Sequence, residues 1–139
     1  MIKNDKFINI VKWNSEGIIP VIAQEFNSNK VLMMAWMNKK ALKKTIEIGQ
    51  AVYWSRSRGK LWHKGEESGN FQIIEEMRID CDNDTLLLIV KQVGNIACHT
   101  GRHSCFFRKL INNDIKNNQW IETENLLKHP SEIYKKKYD

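Results

Sequence analysis

Apolar residues in this chain fall in short runs broken by polar turns, with one stretch at helical spacing. Val21 to Phe26 and Val31 to Met37 flank the polar tetrad Asn27-Ser28-Asn29-Lys30, a pattern that predicts two strands of an antiparallel hairpin. Asn38 then offers a helix N-cap, Ala41, Leu42, Thr45 and Ile46 recur on one helical face, and Gly49 supplies the stop. One amphipathic helix packed on a sheet is expected here. Ala51 to Ser55, Leu61 to Lys64, Phe71 to Asp80, Thr85 to Val93 and Cys105 to Ile111 read as further strands. The run Leu86-Leu87-Leu88-Ile89-Val90 suggests a strand buried on both faces. Short gaps between most of these segments make antiparallel neighbours the expectation. Beyond Asn112 the pattern thins to a return strand at Gln119 to Glu122 and a short helix at Ser131 to Lys137. The expected fold is α+β: a curved, mostly antiparallel, half-barrel-like sheet with one packed helix. Residues 1–110 form the body of a single domain and 111–139 a C-terminal extension of it.

Composition narrows the class. A chain of 139 residues, 42% hydrophobic and 27% charged, suits one globular domain with a real core. The longest apolar stretch, Val31 to Met37, is far below the roughly 20 residues that span a bilayer. The N-terminal Met1-Ile2-Lys3-Asn4-Asp5-Lys6 lacks the apolar core of a secretory signal, so a cytoplasmic location is expected. Three cysteines in that compartment argue for reduced thiols rather than a disulfide framework. The net charge of +6 raises the possibility of nucleic-acid binding. Part of that excess is Lys135-Lys136-Lys137, most simply a solvated charged end.

All three cysteines lie close to a run of acids: Asp80-Cys81-Asp82-Asn83-Asp84, then Cys98-His99-Thr100-Gly101, then Ser104-Cys105-Phe106. Read as a strand, the first segment turns Asp80, Asp82 and Asp84 to one side and Cys81 to the other. Carboxylates suit a hard cation such as Mg²⁺ and thiolates suit Zn²⁺, so one short segment can serve two metals. Three thiols are one fewer than a structural zinc site uses, which favours a catalytic zinc with a position left for water. A calcium loop is disfavoured because Thr85 and Lys91 stand where it needs glycine and glutamate.

Between the helix and the aspartates lies a second chemically loaded stretch, Tyr53 to Asn70. Arg56, Arg58 and Lys64 can grip phosphates and Ser55, Ser57 and Ser68 can hydrogen-bond. A charged hairpin edge that resists aggregation has the same composition. Order and spacing separate the two readings. The string S-R-S-R-x-x-L-W-x-K-G-E-x-S-G, followed by D-C-D-x-D and A-C-H-T-G-x-x-S-C-F, resembles the phosphoribosyl-AMP cyclohydrolase family of histidine biosynthesis. Gly17-Ile18-Ile19-Pro20 and Val31 to Asn38 agree, so the likeness spans roughly residues 17 to 107. Trp36 and Trp54 stand where the family often has tyrosine, which preserves an aromatic surface.

That resemblance implies a hydrolase that adds water to C6 of the adenine ring of 1-(5-phosphoribosyl)-AMP and breaks the N1–C6 bond. It implies Mg²⁺ on Asp80, Asp82 and Asp84, and Zn²⁺ on Cys81, Cys98 and Cys105. It further implies a homodimer that shares the zinc, with Cys81 from one subunit and Cys98 and Cys105 from the other. Some members continue into a helical pyrophosphohydrolase domain; this sequence ends soon after Phe107, so a monofunctional form is expected. His99, beside Cys98, is the candidate for proton transfer, with a structural role or a fourth zinc ligand as the alternatives. Two rivals are a zinc nucleobase deaminase and a basic, zinc-stabilised nucleic-acid-binding module. The deaminase pattern H-x-E…P-C-x-x-C is absent from the chain. The binding module requires a closed four-ligand zinc.

Overall fold

The computed structural model describes residues 6–112 and 118–134. After a short helix α1 (Lys6–Asn9), strands β1 (Ile19–Glu25) and β2 (Val31–Met37) form the expected antiparallel hairpin, with Ile19 opposite Met37 and Val21 opposite Ala35. Helix α2 (Lys39–Ile48) follows at once. Its start is fixed by Asn38, whose side chain accepts a 2.8 Å hydrogen bond from the Ala41 amide. Its end is fixed by Gly49 in the left-handed region at φ 70°, where a residue without Cβ carries no steric penalty. Ala41, Leu42 and Thr45 are buried. Ile46, expected on the same face, is 40% exposed and lies along the rim of an apolar groove.

Two further hairpins follow: β3 (Val52–Ser55) with β4 (Lys60–His63), and β5 (Gln72–Ile79) with β6 (Leu86–Gln92). The main sheet has the order β2-β1-β6-β5, with β3-β4 and a third hairpin, β7 (Arg108–Asn112) with β8 (Asn118–Glu122), as separate two-stranded units. Every pairing between consecutive strands is antiparallel, but β1 and β6 run parallel, Val21 opposite Leu86 and Glu25 opposite Val90. Short gaps restrict only consecutive strands, and this pair is joined through everything between them.

Its central position explains the apolar run of β6. Leu86, Leu88 and Val90 are buried, whereas Leu87 and Ile89 are half-buried, so one face is fully covered and the other partly. The core joins these residues to Ile19, Val21, Ala23, Leu32, Met37, Leu42 and Tyr53. Elsewhere the boundaries differ from expectation. Cys105 and Phe106 precede β7 instead of belonging to it, and the final short helix α3 covers Pro130–Ile133; Lys135 to Lys137 lie outside the described residues. No helix among the described residues is long and apolar enough to cross a membrane.

Candidate active site

The D-C-D-x-D segment is a turn, not a strand. It links β5 to β6, and the expected alternation of side chains across a strand does not apply. Asp80 folds the loop on itself: its amide donates to the Thr85 carbonyl at 3.0 Å, its carbonyl accepts from the Asn83 amide at 3.0 Å, and its Oδ1 accepts from the Asp84 amide at 2.9 Å. Asn83 takes a left-handed φ of 61°, a conformation that asparagine tolerates better than most residues. The turn achieves what the strand was expected to do, since carboxylate oxygens of Asp80, Asp82 and Asp84 converge within 4.8 Å of one another. The backbone amide of Asp84, ahead of other donors, holds the Asp80 carboxyl below its usual range, while the hydrogen bond with Asp80 pushes Asp84 up. Crowded carboxylate oxygens of this kind are suited to a hard divalent cation.

Cys98 and Cys105 are brought together by a tight loop. Its two limbs pair through Ala97 N to His103 O at 3.0 Å and Cys98 N to Arg102 O at 3.1 Å. Ser104, fully buried, donates from Oγ to the Val31 carbonyl at 2.8 Å and accepts from the Phe106 amide at 2.9 Å. The Cys105 amide donates to the Leu32 carbonyl at 2.7 Å. The loop is thus stitched to the edge of β2. A hydrogen bond from Cys105, and a second from Thr100 Oγ1 at 3.0 Å, overcome the burial of the Cys98 thiol and bring it down to about 5. The same pairing pushes the Cys105 thiol up. One thiolate at neutral pH is a soft, nucleophilic donor suited to zinc.

Cys81, exposed on the acidic turn, does not join this pair. Among the described residues the acidic turn is the one place where three potential ligand groups converge. His99 is exposed at the tip of the loop, next to Cys98. His103 Nε2 lies 3.1 Å from Glu25 Oε2, His63 Nε2 lies 2.7 Å from Gln50 Oε1, and His129 caps α3.

The serine–arginine segment splits. Ser55, Arg56 and Ser57 line a groove of about 720 Å³ together with Trp36, Trp54, Trp62 and Glu16. The Arg56 guanidinium sits 4.5 Å above the Trp36 ring, a geometry that holds a cation ready without burying it. Arg58 is exposed and its backbone amide donates to Ser55 Oγ at 3.2 Å. Ser68 accepts from the Asn70 amide at 3.1 Å and is not part of the groove wall.

Lys64 departs furthest from expectation. It is only 6% exposed, and its ammonium donates to the Ala97 carbonyl and stands 5.5 Å from the Trp62 ring. Burial lowers its pKa, against the opposing pull of Cys105 and Cys98. The ammonium therefore lies between the thiol pair and the aromatic groove instead of reaching outward for a phosphate. Residue types in the sequence give no sign that this lysine is turned inward.

Comparison with known proteins settles the family. A family model described as phosphoribosyl-AMP cyclohydrolase matches residues 33–107. A phosphoribosyl-AMP cyclohydrolase of Herminiimonas arsenicoxydans is 62% identical over 135 residues, spanning 97% of this chain and 100% of the relative. The chain belongs to the phosphoribosyl-AMP cyclohydrolase family. Relatives of the same name from Janthinobacterium sp. (strain Marseille) and Nitrosomonas eutropha are 60% and 58% identical over 135 and 130 residues, covering 97% and 94% of this chain and 100% and 97% of theirs. As a cyclohydrolase the chain is a hydrolase. The matched stretch contains the groove residues from Trp36 to Trp62, the acidic turn and the thiol loop, while Glu16 and the strands after Phe107 lie outside it.

Proposed function

We propose that the tryptophan groove binds the substrate and that the thiol loop behind it carries the chemistry. The reaction is the one for which the family is named: hydrolytic opening of the adenine ring of 1-(5-phosphoribosyl)-AMP in histidine biosynthesis. The observation that carries the assignment of parts is Lys64, whose buried ammonium touches both the groove, through Trp62, and the loop that holds Cys98 and Cys105.

Trp36, Trp54 and Trp62 offer flat apolar faces on which a purine stacks. Arg56, with Ser55 and Ser57, offers a guanidinium fork and hydroxyls to a phosphate at the groove's edge. Arg58 and Ser68 are the weaker candidates for that task, and Lys64 acts from behind the ring. Ribosylation at N1 draws electrons from C6, so the bound ring is already electrophilic. His99 takes a proton from the attacking water as its oxygen bonds to C6, and returns one to N1 as the N1–C6 bond breaks. C6 and its amino group leave the reaction as a carboxamide.

Cys98 and Cys105, with the partner subunit's Cys81, are the residues that would hold Zn²⁺, and Asp80, Asp82 and Asp84 those that would hold Mg²⁺. Zinc at such a site would supply a bound water made far more acidic than bulk water, with a pKa of roughly 7. The exposed Cys81 and the paired Cys98 and Cys105 fit a zinc shared across a homodimer, because each subunit presents fewer thiols than the metal needs. The deciding experiment mixes the purified protein with phosphoribosyl-AMP and Mg²⁺ and follows ring opening by ultraviolet absorbance, before and after zinc is stripped and restored. Ring opening lost with zinc and regained on its return is the expected result; no turnover by folded, zinc-loaded protein overturns the assignment.

A further inference from the structure

The segment that follows β8 lies outside the stretch that the family model matches, yet it grips the thiol loop from outside. Glu124 is the centre of that grip. Its side chain is 16% exposed, its Oε2 lies 2.8 Å from Lys30 Nζ, and its Oε1 accepts from the Ser104 amide at 3.3 Å. Its backbone carbonyl accepts from Arg102 Nε at 3.1 Å, and Arg102 also reaches Glu122 Oε2 at 3.0 Å. On either side, the Thr123 amide donates to the Phe107 carbonyl at 2.7 Å and the Leu127 amide to the Gly101 carbonyl at 2.8 Å. The fit at Gly101 is close enough that an added Cβ would collide with the Lys128 carbonyl.

Most of these contacts fall on Gly101, Arg102 and Ser104, which lie between Cys98 and Cys105. We infer that Glu124 is a positioning residue: it pins the Ser104 amide, and with it the Cys98–Cys105 spacing, to the β1–β2 turn through Lys30. The inference rests on the thiol loop being the reactive one. A loop held only by its own turn bonds opens more readily than one tied at both ends to a packed sheet. The region beyond residue 107 is thereby part of the site's scaffold.

Three variants test this: Glu124→Ala, Glu124→Gln, and Lys30→Met, which leaves the Ser104 bond in place. Amide hydrogen exchange across residues 97–105 and the rate of thiol modification are measured on metal-free protein, and kcat and KM on zinc-loaded protein. Expected for Glu124→Ala are faster exchange across the loop, faster thiol modification and a kcat about tenfold to a hundredfold lower. KM should stay near wild type, because the groove is untouched. Glu124→Gln still accepts from the Ser104 amide and should recover most of the loss, and Lys30→Met should speed exchange at the loop to a smaller degree. Wild-type exchange and kcat in Glu124→Ala overturn the inference, as does a joint loss in kcat and KM that glutamine does not rescue. If Glu124→Ala fails to fold, unchanged loop exchange in Lys30→Met overturns it instead. An inactive wild-type protein would sink the proposed activity, while loop exchange and thiol modification would still decide the role of Glu124.

Discussion

Arg56 is the sharpest handle on the groove. Its guanidinium stands 4.5 Å over Trp36 at the mouth of the cavity, exposed enough to meet a ligand and already held in place. Replacing it with alanine removes a cation–π contact of about 0.5–1 kcal/mol and one charge-assisted hydrogen bond of about 1.5–3 kcal/mol. The first exists in the free protein, so its loss is felt in the order of the groove wall, and only the second enters substrate binding in full. At about 1.36 kcal/mol per factor of ten, kcat/KM should fall by roughly 10- to 150-fold. A phosphate distant from the reacting C6 is bound alike in ground and transition states, so the loss should appear in KM with kcat nearly unchanged. Arg56→Lys keeps the charge but not the fork and should recover only part. Initial rates of ring opening over a range of substrate concentrations measure both constants. A kcat/KM for Arg56→Ala within about threefold of wild type would refute the phosphate assignment, and a fall confined to kcat would move Arg56 to the reacting centre.

Two further outcomes follow from the buried polar groups. Tyr53, fully buried, donates to Gln72 Oε1 at 2.6 Å, and Gln72 in turn donates to Gln92 Oε1 at 2.9 Å. Tyr53→Phe should strand the Gln72 oxygen at a cost of about 1–3 kcal/mol, lowering Tm by roughly 6–8 °C at the middle of that range; a shift under about 2 °C would show that the chain of amides tolerates the loss. In metal-free protein, thiolate absorbance should titrate one thiol near about 5, with the Cys105 thiol staying protonated past its ordinary range. Because the folded Cys98 value lies below the ordinary thiol value of 9.0, its stabilisation is full above that value and lost as pH falls through the folded one. Cys105, raised in the folded state, adds no slope in this window, since it is protonated both folded and unfolded. The urea midpoint should therefore rise between about pH 6 and 8, and Cys98→Ser should flatten the rise; an equal slope in both proteins would contradict the pairing.

Local chemistry was enough to read much of this protein from its sequence. The Asn38 cap, the Gly49 stop and the first hairpin rest on bonds between near neighbours, and the order of motifs was enough to indicate the family that the comparisons show. What sequence could not determine was every feature set by residues far apart in the chain. The parallel pairing of β1 with β6 arises because packing inserts β6 beside β1, which no gap length records. The acidic segment reads as a strand because alternate positions share one face of an extended chain. In the structure a turn closed by Asp80 on Asp84 and Thr85 gathers them instead. Lys64 reads as a solvent-facing cation because burying an ammonium is ordinarily costly; only the folded chain supplies the Ala97 carbonyl and the two thiols that make burial tolerable. Glu124 lies in a tail with a weak local pattern, and its place against Ser104 and Lys30 is fixed by tertiary packing, because a charge pair between distant residues leaves no periodicity in the sequence.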